Sequence, residues 1–245
     1  MSSIQENLNR VRARIAAAER RAGRAPGSVQ LVAVSKTFPA EDVLEAVRAG
    51  QWAFGENRAQ ELVEKYPACA QYGEQIQWHF IGQLQKNKVK YILDKVAMVH
   101  SLDRMPLAIE LERQCARMDR PVLPVLVEVN MAQEATKAGL PAEQAEQLIR
   151  EISAQCPHLA VRGLMTVAPY APDPEQVRPV FARMRALFER VAALELPRVE
   201  MRTLSMGMSG DFEVAIEEGA NLVRVGTAIF GGRSYPKNEQ EEGLS

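Results

Sequence analysis

Apolar residues at Ile4, Leu8, Val11 and Ile15 recur at helical spacing and stop before Gly23, which predicts an amphipathic helix ahead of any strand. Beyond it the period changes. Eight short apolar runs, VQLVAV, QWAFGE, IQWHFIG, VAMVHSL, PVLVEVN, LAVRGLMTV, VEMRTLSM and NLVRVG, read as strands. Between them, helical patterns cover 40–49, 58–65, 86–93, 104–118, 143–154, 175–194 and 212–218. Strands too apolar to leave one face in water, alternating with helices, fit a parallel sheet covered by helices. Eight such units predict one α/β domain, a (β/α)8 TIM barrel with an extra N-terminal helix. The expected layout is a helix over 1–24 packed on the barrel, the barrel over 25–235 and a flexible tail over 236–245. A doubly wound open sheet is the competing arrangement. It calls for GxGxxG after the first strand, whereas here the glycines follow the last.

Composition narrows the class of partner. With 30 basic and 31 acidic side chains, a net charge of -1 and 47% hydrophobic residues, the chain reads as an ordinary soluble protein with no polyanion-binding character. Lys86, Lys88 and Lys90 in QLQKNKVKYILDK spread around a helix and read as a solvated face, so no nucleic-acid partner is expected. Cys69, Cys115 and Cys156 are odd in number and lack CxxC spacing, which points to a reducing cytoplasm. The first residues carry no signal core, and no apolar run approaches the ~20 residues of a membrane span.

In a barrel, functional groups gather where strands end and the following loops begin. Lys36 stands there after the first strand, and alternation puts Val32, Val34 and Lys36 on one face. It is either a solvated turn lysine or an amine aimed into the barrel mouth. Leu222 and Arg224 share a face of the last strand, which plants a guanidinium inside the barrel, where a carboxylate or a bound ligand must accept its hydrogen bonds. Gly226, Thr227, Gly231 and Gly232 follow that strand, and Ser205, Gly207 and Ser209 lie in the loop before it. Small residues let a phosphate approach main-chain N–H groups closely. An amine beside a phosphate cradle suits pyridoxal 5'-phosphate (PLP). His79, His100 and His158 are too far apart for metal spacing and read as hydrogen-bonded structural residues, and Trp52 and Trp78 as core packing.

The motifs VAVSKT, FGENRAQE, WHFIGQLQKNK, HSLD, VEVN, GLMT, LSMGMSGD and VRVGTAIFG, in that order over 31–233, resemble those of the pyridoxal phosphate homeostasis protein family. The resemblance implies a barrel like the N-terminal domain of alanine racemase, which binds PLP and regulates its supply without established turnover. It makes Lys36 the lysine of an internal aldimine and Arg224 the neighbour of the pyridine nitrogen. Ser205, Gly226 and Thr227 become phosphate ligands, the last two through main chain, and Asn57 and Met206 line the pocket. Lys137 matches a family lysine that serves either a second, weaker PLP site or a plain loop. Phe38 and Arg58 depart from the residues many relatives carry there, which touches rim contacts and leaves the Schiff base intact.

A protonated guanidinium opposes protonation of the ring nitrogen and makes the cofactor a poor electron sink, which disfavours transaminase chemistry. Racemases of this fold add a β domain and a catalytic tyrosine. The chain has no length left for that domain, and none of Tyr66, Tyr72, Tyr91, Tyr170 and Tyr235 sits in a matching context, although Tyr235 is near the phosphate loop. The expected pocket therefore holds one amine and no second acid or base. The reading is a cytosolic, monomeric, non-catalytic carrier that buffers PLP or delivers it to PLP-dependent apoenzymes. The alternatives are a small PLP-dependent amino acid racemase or decarboxylase, and a barrel binding another phosphorylated metabolite.

Overall fold

The apolar runs that follow the first helix pair side by side and in parallel, and the sheet they form closes on itself. The computed structural model describes residues 3–132 and 138–232, so Lys137, Tyr235 and the expected tail lie outside the described residues. The barrel strands are β1 (Gln30–Val34), β2 (Ala53–Glu56), β3 (Gln77–Phe80), β4 (Val96–Leu102), β5 (Leu123–Asn130), β7 (Leu159–Met165), β8 (Val199–Ser205) and β9 (Leu222–Val225). Their neighbours run β4-β3-β2-β1-β9-β8-β7-β5, and pairing of β4 with β5 closes the ring. All eight strands expected from the pattern are present. A further strand, β6 (Leu140–Pro141), adds to the end of β5 and is too short to show a period.

In most strands the two faces bury different partners, although β8 leaves Glu200 and Arg202 exposed. Leu31, Ala33, Val125, Val127, Val129, Val223 and Val225 belong to the large apolar core that includes the helices. Val32, Ala53 and Leu222 form a separate small cluster inside the barrel. Val32 lies opposite Arg224, and Val34 opposite Gly55, so the lumen carries Val32, Val34 and Arg224 at successive levels. This is the layered interior of a TIM barrel, filled from alternate strands. A side chain at Gly55 would meet Ile81 at 3.0 Å and Val32 at 3.1 Å, so glycine leaves room for its branched neighbours.

The outer layer comprises α2 (Ala40–Arg48), α3 (Ala59–Lys65), α4 (Val89–Ile92), α5 (Met105–Arg117), α6 (Ala145–Gln155), α7 (Arg178–Ala192), α8 (Phe212–Glu217) and α9 (Thr227–Phe230). The N-terminal helix α1 (Ser3–Arg21) buries Ile4, Leu8, Val11, Ile15 and Ala18 against α8, α9 and α2. Glu19 at its end is also buried, and its carboxylate accepts the N–H groups of Gly27 and Val29. No described helix is long and apolar enough to cross a membrane. Trp78 is core as expected, but Trp52 is 38% exposed. It precedes β2, its carbonyl accepts the Gln77 N–H at 2.8 Å, and its ring meets the edge of Tyr72 at 6.1 Å.

Candidate functional site

The turn that carries Lys36 is held on both sides. Ser35 Oγ donates to Glu56 Oε1 at 2.7 Å, and Lys65 Nζ donates to the same oxygen at 2.6 Å and to the Ser35 carbonyl at 2.8 Å. On the far side the Thr37 N–H donates to Glu61 Oε2 at 2.6 Å. Thr37 has φ of 69°, a left-handed conformation uncommon for a β-branched residue, so the surrounding bonds impose it. Burial raises the Glu56 carboxyl pKa, while the charge and hydrogen bond of Lys65 oppose the rise. The main chain at Lys36 is thus fixed by side chains from β2 and α3.

Val34, Lys36, Asn57, Arg224, Gly226 and Thr227 line one cavity of about 810 Å³ at the C-terminal ends of the strands. Five of the seven residues expected at the site therefore meet. Ser205 and Met206 do not line it, because both are fully buried beneath it. Ser205 Oγ instead accepts from Arg224 Nη1 at 2.5 Å. Ser209, four residues on, reaches the cavity wall beside Gly210 and Asp211. Its hydroxyl accepts the N–H of Ala228 in α9 at 3.4 Å.

Close approach explains the glycines. A side chain on Gly226 would sit 3.1 Å from the Val34 carbonyl oxygen, and one on Gly82 only 2.3 Å from the Asn57 carbonyl. Thr227 begins α9, where the first N–H groups have no intrahelical acceptor. Asn57 Oδ1 is buried with no hydrogen-bond partner among the described residues. Asn57, Gly226 and Thr227 line the same space.

Arg224 is 4% exposed, and no carboxylate among the described residues lies within ion-pair distance. Its inner hydrogen bonds go to neutral groups, Ser205 Oγ and the Thr166 carbonyl at 2.8 Å. Burial pulls its pKa down to about 10, with Glu128 and Asp211 acting in the opposite sense. It remains a cation at neutral pH.

The sequence reading missed Glu128. This carboxyl lines the cavity at 5% exposure, and burial pushes its pKa up to about 7, with Asp103 adding and Arg224 opposing. The pocket therefore holds a second acid/base group, contrary to expectation. Alternation in VLVEVN carried the signal, since Val125, Val127 and Val129 face the helices and leave Leu126 and Glu128 to the lumen. A folded-state pKa above the ordinary 4.5 means that this group stabilises most below pH 4.5, and that the contribution is lost as pH rises through about 7. Chemical denaturation should show wild type losing about 2 kcal/mol relative to Glu128→Gln between pH 5 and 8. Equal pH slopes would contradict the burial argument.

A second cavity, of about 450 Å³, lies between α1 and the strand starts. Its charged groups are already used: Arg12 donates to the Ala49 and Gly50 carbonyls, and Glu19 is capped as above. The larger cavity is the candidate site. His158 lies at the surface beside Glu112, and no metal-binding cluster occurs among the described residues.

The profile of the alanine racemase N-terminal domain matches residues 6–234. The pyridoxal phosphate homeostasis protein of Aquifex aeolicus is 46% identical over 233 residues, covering 94% of this chain and 98% of that protein. The chain belongs to the pyridoxal phosphate homeostasis protein family. Its namesake from Vibrio cholerae is 43% identical over 97% of this chain and the whole of that one. Among solved structures, PipY of Synechococcus elongatus with PLP bound is 32% identical, with a TM-score of 0.80 over 93% of this chain and all of that one. Alanine racemase from Corynebacterium glutamicum, 18% identical with a TM-score of 0.62, covers 98% of this chain but is itself matched over 63% of its length. That similarity concerns the fold alone.

Proposed function

We propose that this protein captures PLP through the Lys36 amine and holds it for release to PLP-dependent apoenzymes in the cytosol. PLP supplies an aldehyde that an amine can take up reversibly, a ring nitrogen that accepts a hydrogen bond and an anionic phosphate. The observation that carries the reading is the convergence of Lys36, Arg224 and the Gly226–Thr227 main chain on one cavity. Lys36 supplies the amine, on a turn held rigid by Glu56, Lys65 and Glu61. Arg224 donates from the cavity floor towards the ring nitrogen. Gly226 and Thr227 offer main-chain N–H groups to the phosphate, and Ser209 takes the hydroxyl role that the resemblance assigns to Ser205. Asn57 lines the same space. Family membership and the PLP-bound PipY relative support the assignment.

Holding fits the site better than turnover. The guanidinium opposes proton uptake at the ring nitrogen. The rim is open, with Tyr170 at 93% exposure and Val167 and Met208 also exposed, so bound material can leave. Glu128 is the one observation favouring the second reading, a small racemase or decarboxylase, because a carboxyl titrating near neutrality can move a proton. Incubation of the PLP-loaded protein with a panel of amino acids in deuterium oxide separates the two. Exchange at the α-carbon no faster than with free PLP is expected. Rapid exchange that disappears in Glu128→Gln would replace the carrier reading with the enzyme.

A further inference from the structure

A file of buried polar side chains runs from the cavity floor across the barrel interior, and two of its members have no part in the function described so far. Arg224 Nη1 donates to Ser205 Oγ at 2.5 Å. Ser205 Oγ lies 3.2 Å from His100 Nδ1, and His100 Nε2 lies 2.8 Å from His79 Nδ1. The four residues come from β9, β8, β4 and β3, and all are under 5% exposed.

Hydrogen counting fixes the direction of this file. Arginine only donates, and a serine hydroxyl has a single hydrogen. If His100 carried its hydrogen on Nδ1, both neighbours would donate to Ser205 Oγ. The serine hydrogen would then need another acceptor, and the described residues offer none. With a lone pair on Nδ1, His100 accepts the serine hydrogen and passes its own Nε2–H to His79 Nδ1. His79 is then protonated on Nε2, the atom that is buried with no partner among the described residues.

We propose that Ser205, His100 and His79 form a one-way hydrogen-bond relay, both imidazoles neutral and protonated on Nε2, which positions the Arg224 guanidinium towards the ligand cavity. The histidines are positioning residues. Burial lowers the His79 pKa to about 4 and takes His100 well below the ordinary range, with the charges of His79 and Arg224 adding to the second effect. Glu128 and Asp211 act on Arg224 from its cavity side. An imidazolium at His100 would turn an N–H against Ser205 and set a second cation beside Arg224. A relay of neutral acceptors anchors the guanidinium without neutralising it, and leaves its positive charge for the ligand. The inference deepens the reading of Arg224 as the ring-nitrogen donor and rests on it.

Two measurements test it. Imidazole nitrogen NMR of the PLP-free protein should show both rings as the Nε2–H tautomer, with no titration between pH 5.5 and 8. A hydrogen on His100 Nδ1, or an ordinary titration of either ring, would overturn the relay whatever the ligand does. On the PLP-loaded protein, His100→Leu should move the pH midpoint of the absorbance band by about one unit in the direction of Arg224→Gln, the size of one lost hydrogen bond to a charged group. His100→Gln, which can both accept from Ser205 and donate to His79, should restore most of the shift. Borohydride labelling of Lys36 should persist in both variants. A His100→Leu titration identical to wild type would refute the positioning role. If Arg224→Gln also left the titration unchanged, the ring-nitrogen reading itself would fail, while the NMR result would still decide the relay. Should His100→Leu not fold, the NMR result and His100→Gln carry the test.

Discussion

Lys36→Ala will eliminate covalent capture of PLP while leaving the barrel folded. The bonds that shape the turn use Ser35 Oγ, the Ser35 carbonyl and the Thr37 N–H, held by Glu56, Lys65 and Glu61. Removing the amine therefore deletes the nucleophile without releasing the main chain around it. Intact mass after borohydride reduction should show the full adduct on wild type and none on the variant, with thermal unfolding within a few degrees of wild type. The phosphate cradle proposed at Gly226 and Thr227 stays in place, so weak reversible binding of PLP should survive. An adduct of equal yield on another lysine of the variant would overturn the assignment. Loss of the adduct together with loss of the fold would instead give Lys36 a structural role.

Gly163→Ala will carry the largest stability cost in the barrel. Gly163 has φ of 151°, and a β-carbon there would lie 1.8 Å from the Thr203 carbonyl oxygen and 2.7 Å from its carbon. These are main-chain atoms of the neighbouring strand and cannot swing aside. The position coincides with the register shift between β7 and β8, where the ladder jumps from Val161 opposite Val199 to Gly163 opposite Thr203. Admitting one methyl group means prising two barrel strands apart, at about 3 kcal/mol or more. Denaturant unfolding measures it, and a loss under about 1 kcal/mol would contradict the packing. The effect should reach the candidate site, because Thr166, just past the end of β7, and Ser205, at the end of β8, hold Arg224 and follow Gly163 and Thr203 along the chain.

Periodicity made the barrel legible because most strands bury both faces, β8 with its exposed Glu200 and Arg202 being the exception, and each helix only one. Alternation put Lys36 on the face of Val34 and Arg224 on that of Leu222 but left open whether Lys36 turns to solvent or to the barrel mouth, and both residues line the cavity. Alternation says which face a side chain takes, but not which residue it meets across the barrel. Ser205 shows the difference: its motif marked it for the ligand, yet strand registry sets it under Arg224, and Ser209 reaches the cavity. The pairing of His79 with His100 depends on a register shift between Trp78 and His79 that no local pattern records. Read singly, the two histidines look like ordinary core residues. Glu128 was legible and overlooked, a carboxyl in an apolar strand whose valines claim the other face. Trp52 misled because its size suggests core, whereas it stands one residue before β2 begins.

The central claim is that Lys36 is the amine that takes PLP. Adding PLP to the purified wild-type protein, reducing with borohydride and mapping the modified peptide by mass spectrometry tests it directly. The account predicts a yellow complex whose reduced label falls on the peptide containing Lys36. A colourless mixture with no covalent label, or a label confined to a different lysine, would contradict it.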